Sequence, residues 1–221
     1  MLDEVRQDDD LSSRQLQQKT DEELYELYRL SKNREALGIL LDRYDDRLEM
    51  FLYGIVRHKQ DAEDLMLDTF AEAASLRTVF RGDSSFRVWL FAIAKRLAYR
   101  YLRKKRRFGV FNSYIVPDNG DQPEVCMLKE ERNRLLYDAM DELKPEYRNV
   151  LYLRYFEEMR PEEIQRVTGK KAKQVYNLLN RGRESLRKKL EETGYTAEEK
   201  NDKPGEAILP EKAETDISRG R

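Results

Sequence analysis

The 221-residue chain has a single cysteine, Cys126, and a single histidine, His58. A disulfide framework and a cysteine zinc site are thereby excluded, as is any metal site built from several histidines. No apolar run approaches the roughly 18 residues that a membrane span requires, so no membrane insertion is expected. The opening MLDEVRQDDD is acidic and lacks the apolar stretch of a secretory leader. There is no glycine-rich phosphate loop and no nucleophile–base pair, so neither enzyme activity nor a cofactor is expected. These absences predict a cytoplasmic protein of a reducing compartment.

An excess of charge of one sign is also missing. Against 42 Lys and Arg stand 43 Asp and Glu, for a net charge of −1. Charged residues reach 38% and apolar ones only 39%. Such a composition favours two small domains over one large one, because small domains expose more surface per residue. The near-neutral sum conceals segregation. Residues 21–76 carry 14 acids and 7 bases, whereas 95–107 (KRLAYRYLRKKRR) carry 8 bases and no acid. Residues 160–190 carry 10 bases and 3 acids, and 191–221 return to 9 acids and 5 bases. Two cationic islands therefore lie in an acidic chain. Nucleic-acid affinity rests on local phosphate neutralisation, so the overall balance does not exclude it.

Helical periodicity dominates and no strand-type alternation appears, which predicts an all-α protein. Residues 1–19 are polar and aperiodic, and are expected to fray. Thr20-Asp-Glu-Glu23 reads as a capping box opening a first helix. Asn33 is placed to cap a second, with Leu37, Leu40, Leu41, Tyr44, Leu48, Phe51, Leu52 and Ile55 at helical spacing. Asp61 is placed to cap a third, and Ser84 or Ser85 a fourth. The fourth carries Phe86, Trp89, Leu90, Ile93, Ala94, Leu97 and Tyr101 in one stripe, and its last turns form the first cationic island. The stripe makes Trp89 a core residue. Residues 108–123 contain two Gly and two Pro and read as a flexible linker. That linker, about 16 residues, reaches at most ~55 Å at ~3.3–3.6 Å per residue. Helical signals return over 124–194, with Pro145 and Pro161 each opening a helix, and 195–221 read as a disordered acidic tail.

Residues 161–180 (PEEIQRVTGKKAKQVYNLLN) fit a helix-turn-helix: a short helix, a glycine at the turn and a second helix. Ile164, Val175 and Leu178 fall where the two helices pack. Lys170, Lys171, Lys173, Gln174, Asn177 and Arg181 fall on the other face, with Gln174 and Asn177 suited to adenine. These residues leave open a stand-alone helix-turn-helix regulator with a helical dimerisation domain and a helical interaction protein with no role on DNA.

Four stretches in order resemble the extracytoplasmic-function sigma factors of the sigma-70 superfamily. They are Asp61–Phe70 (DAEDLMLDTF), Phe86–Ala94 (FRVWLFAIA) running into Leu102–Arg107, Leu143–Glu157 (LKPEYRNVLYLRYFE), and Glu163 through Gly169 to Arg187. The resemblance covers about residues 20–190. It implies a first domain over 20–107 that binds the β′ clamp helices of RNA polymerase core and opens the minus-ten promoter element. It implies a second domain over 124–194 that binds the β flap and reads the minus-thirty-five element. On this chain the polymerase-facing residues would be Asp61, Glu63, Asp64 and Asp68. The minus-ten pocket would be Phe80, Arg81, Asp83 and Ser84, with Arg96, Tyr99, Arg100, Arg103 and Lys104 as the basic track. Members of the family are often held inactive by an anti-sigma partner, so the resemblance makes such a partner a candidate. The chain departs from the family pattern at Leu67, Arg96 and Arg100, and at Gln165 and Lys170.

Overall fold

A helix starts where a side chain can hold the backbone N–H groups that its first turn leaves unpaired. The computed structural model describes residues 14–75, 80–107 and 131–192. The linker expected at 108–123 and the tail at 195–221 lie outside these residues. Thr20 opens α1 (Asp21–Ser31): its hydroxyl accepts from the Glu23 N–H at 3.2 Å, and Glu23 accepts from the Thr20 N–H at 2.8 Å. Asn33 accepts from the Ala36 N–H at 2.9 Å and opens α2 (Arg34–Val56). The third start differs from expectation. His58, not Asp61, caps α3 (Lys59–Ala74), its Nδ1 accepting from the Asp61 N–H at 3.3 Å. The chain leaves α2 through Arg57 in the left-handed conformation, at φ 58, and helix resumes directly after His58. α4 (Phe86–Arg107) begins after Ser85, whose hydroxyl accepts from the Val88 N–H at 3.4 Å, while the Glu22 carboxylate takes the Phe86 N–H at 2.7 Å.

These four helices bury Leu24, Leu40, Leu48, Phe51, Leu52, Phe86, Leu90 and Phe91 almost completely. Burial of each such side chain contributes about 1.5–3 kcal/mol before the entropy of ordering it is subtracted. Tyr25 joins the packing, with ring centroids 5.1 Å from Phe86 and 5.2 Å from Trp89, and donates from its hydroxyl to the Ala73 carbonyl at 2.9 Å. Trp89 is half-buried in this cluster, in keeping with its stripe position. Residues 14–19 do not behave as frayed chain. Residues 14–17 make a helical turn, Leu16 is buried, and Arg43 donates to the carbonyls of Gln17 at 2.6 Å and Lys19 at 3.0 Å.

The second half supplies α5 (Glu131–Asp141), α6 (Pro145–Tyr155), α7 (Pro161–Thr168) and α8 (Ala172–Glu192). Pro145 and Pro161 stand at the first turns of α6 and α7, where a missing N–H costs nothing. Gly169 ends α7 at φ 68, a conformation glycine adopts without strain. Among the described residues there is no strand, and no helix is long and apolar enough to cross a membrane. The two helical units pack on one another: α6 lies on α2 and α7 on α4, and their buried side chains form one connected cluster.

Candidate nucleic-acid interface

In α4 the apolar stripe decides where the charge goes. Phe86, Leu90, Ile93, Ala94, Leu97 and Ala98 are buried, which turns Arg96, Arg100, Arg103 and Lys104 outward. The expected basic track is thus on one helix surface. Arg96 is tied to Glu72 of α3, whereas Lys105 pairs with Asp61 at 3.0 Å. Tyr99 is 40% exposed beside Lys95, whose ammonium stands 5.4 Å from the ring centroid. Burial, and then Glu146 of the second unit, raise the Tyr99 hydroxyl above its ordinary pKa. In the preceding loop Arg81 and Asp83 are exposed, Ser84 is half-buried, and Gly82 takes φ 77. Phe80 has another environment. Its ring packs edge-on to Tyr25 and Phe86 at 6.0 Å and lies 5.4 Å from Trp89, so it serves the aromatic cluster beneath the loop.

The helix-turn-helix forms as the spacing predicts. Ile164 and Val167 of α7 and Val175, Leu179, Gly182 and Leu186 of α8 are buried. Gly182 packs closely on α6, where an added Cβ would lie 3.3 Å from Leu151. Lys171, Lys173, Gln174, Asn177 and Arg181 are exposed on the free face of α8. Two of the expected contacts are engaged inside the protein. The Lys170 ammonium pairs with Glu146 at 3.4 Å, and the Gln174 side-chain oxygen accepts from the Lys171 N–H at 2.9 Å. Tyr176, 43% exposed, was not singled out by sequence reasoning. Its signal is its place three residues after Lys173, off the Val175/Leu179 stripe.

The acidic helix α3 presents Asp64, Leu67 and Asp68 together at i, i+3 and i+4, all exposed. Leu67, at 56% exposure, is an apolar point between two carboxylates. Asp61, one turn earlier on α3, is 17% exposed and held by Lys105 of α4. Glu63 is half-buried beside Glu49. Among the described residues no group of His, Cys, Asp and Glu could hold a metal ion.

The family model for sigma-70 region 2 matches residues 40–108, and that for sigma-70 region 4 matches residues 133–186, together more than half of the chain. RNA polymerase sigma factor YlaC of Bacillus subtilis is 29% identical over 163 residues, covering 72% of this chain and 94% of its own. ECF RNA polymerase sigma factor SigX of the same organism is 28% identical over 165 residues, covering 71% and 84%. Among solved structures, the sigma factor RpoE in complex with the anti-sigma factor NepR from Bartonella quintana has a similar fold. Its TM-score is 0.59 at 20% identity, covering 68% of this chain and 94% of that one. CnrH in complex with the cytosolic domain of CnrY gives a TM-score of 0.56 at 23% identity, covering 79% and 99%.

Proposed function

The chain belongs to the extracytoplasmic-function group of the sigma-70 family of RNA polymerase sigma factors, and starting from that membership we propose that its two helical units divide the work of promoter-directed initiation. The chain binds core polymerase and lends it sequence recognition; members of this family are not, as a class, enzymes. The first unit docks on the clamp helices of β′ through Asp64, Leu67 and Asp68. It grips the melted minus-ten strand along Arg96, Tyr99, Arg100, Arg103 and Lys104, with Arg81, Asp83 and Ser84 at the pocket. The second unit binds the β flap and reads the duplex minus-thirty-five element through Lys171, Lys173, Asn177 and Arg181. An anti-sigma factor, of the kind that accompanies RpoE in its co-crystal, completes the partners of this reading, and a cytoplasmic location follows from it.

One observation carries the proposal. A single chain holds two cationic helix faces, each backed by a buried apolar stripe, and they fall inside the matches to regions 2 and 4 in that order. A stand-alone regulator needs only one such face. In-vitro transcription with bacterial core polymerase and a pool of genomic promoters tests it. Specific start sites that depend on the chain support the reading, and a gel shift of duplex by the free chain with no effect on polymerase contradicts it.

A further inference from the structure

The free face of α8 is not wholly polar. Tyr176 is 43% exposed, and among the described residues of the second unit it is the one large apolar side chain left open to solvent. Ala172, four residues before it, is exposed as well. Residues four apart on a helix stand side by side, so the two make an apolar strip along one flank of α8. The exposed side chains of Lys173 and Asn177 border that strip. The buried stripe of Val175, Leu179, Gly182 and Leu186 lies elsewhere on the helix, so core packing does not account for a ring at this place.

In a helix-turn-helix the first turns of the second helix are the part that reaches base edges in the major groove. α8 begins at Ala172, so Ala172 and Tyr176 stand in its first two turns. Their neighbour Lys173 suits a phosphate, and Asn177 suits adenine. A phenol ring suits neither, because it brings no fork of donors and acceptors. In the major groove guanine shows N7 and O6, adenine N7 and N6, and cytosine N4, all of them polar. A ring laid on those atoms strips them of water, and its face returns no hydrogen bond. Thymine differs in presenting an apolar group there, its C5-methyl. Alanine and aromatic side chains are among the groups that pack on that methyl.

We propose that Tyr176, with Ala172 beside it, reads thymine in the minus-thirty-five element by packing its ring on the 5-methyl group. The proposal rests on the sigma-factor reading for the duplex that α8 enters, and adds to it which base is read there and by which atoms. The ring makes the contact and the hydroxyl is dispensable. A contact between apolar groups is not screened by salt, so this discrimination is constant with ionic strength, unlike a grip on phosphates.

Deoxyuridine tests this, since it lacks only the methyl of thymidine and keeps every phosphate and hydrogen-bonding group. The test uses holoenzyme assembled from bacterial core polymerase and the full-length chain, on a promoter at which it initiates. Each thymine of the upstream element, on either strand, is replaced singly by deoxyuridine, and binding is measured by competition with the parent duplex. With wild type at least one replacement should weaken binding about fourfold, the worth of one buried methyl group, and equally at two salt concentrations. Tyr176→Phe, which keeps the ring, should retain that loss. Tyr176→Ser, or Tyr176→Gln if the first variant loses helicity by circular dichroism, should bind both duplexes equally. Wild type that binds every deoxyuridine duplex as tightly as the parent overturns the proposal, as does a loss that survives removal of the ring. Loss of the discrimination in Tyr176→Phe assigns the contact to the hydroxyl and overturns it too. If wild type initiates at specific sites while deoxyuridine has no effect, the thymine contact falls and the function stands. If it initiates at no specific site, the function falls and takes the thymine contact with it.

Discussion

Arg148 of α6 donates to the carbonyl of Gly54 in α2 at 2.8 Å, joining residues 94 apart in the chain. The same guanidinium donates to the carbonyls of Met140 at 2.9 Å and Leu143 at 3.0 Å. Burial, and then the charge of Arg57, push its pKa down to about 10 even with Asp141 nearby, so it remains charged at neutral pH. Arg148→Met leaves several buried carbonyls without a donor. The expected loss is about 3–5 kcal/mol by urea denaturation, in the range for removing one partner of a buried charged contact. A loss below about 1 kcal/mol would show that these bonds are not formed in solution.

Two helix-interior glycines should respond to alanine in opposite directions. At Gly54 an added Cβ would stand 3.4 Å from Arg148 Cδ and 3.6 Å from Asn149 Oδ1, ordinary contacts. Gly54→Ala should therefore stabilise by up to about 1 kcal/mol, the helix-propensity gain. At Gly182 the Cβ would stand 3.3 Å from two atoms of Leu151, a fully buried side chain. Gly182→Ala should destabilise by about 1–3 kcal/mol, the cost of overpacking. Thermal melts of the two variants check both signs.

Particular residues explain how far the sequence could be read. Caps at Thr20 and Asn33, prolines at 145 and 161, and the glycine at 169 act through local backbone chemistry, so each helix end they mark was legible. His58 was missed as a cap because Asp61 is the commoner capping type, and only the left-handed exit at Arg57 decides between them. The exposed face of α8 was legible because the apolar stripe leaves only one free side. Asp61, Lys170 and Gln174 look like free contact residues in sequence, because charge and amide groups on a helix surface carry no mark of a partner within the chain. Their partners Lys105, Glu146 and the Lys171 N–H emerge only when helices pack. The contact between the two units was illegible for the same reason: Arg47 and Glu157, paired across it, are 110 residues apart.

On the recognition helix, Asn177 and Lys173 should fail differently. Asn177→Ala in the holoenzyme should relax base preference at one position of the upstream element, by about 1–3 kcal/mol of discrimination. Lys173→Ala should weaken all promoters alike and make the salt dependence shallower. Binding titrations over single-base promoter variants at two salt concentrations separate the two. Uniform weakening by Asn177→Ala would remove it from base contact.

Glu49 sets a pH dependence. One of its carboxylate oxygens is buried without a hydrogen-bond partner, among Glu63, Lys59, Asp46 and Asp45. Burial first, and Glu63 second, raise its pKa above the ordinary carboxyl value. A raised folded pKa means the favourable contribution is fully present below about pH 4.5 and is lost as pH rises through the raised value. Glu49 is thus a burden at neutral pH. Glu49→Gln should raise the melting temperature by about 1–3 °C at pH 7. The difference from wild type should close near pH 4, and a constant difference across that range would contradict the assignment.

Run-off transcription by bacterial core polymerase, supplied with wild-type chain or with the Lys173→Glu, Arg181→Glu variant, tests the division of labour most directly. The account predicts promoter-specific transcripts with wild type and none with the variant, while both chains co-elute with core polymerase. Specific transcripts from the variant, or its failure to co-elute, would contradict it.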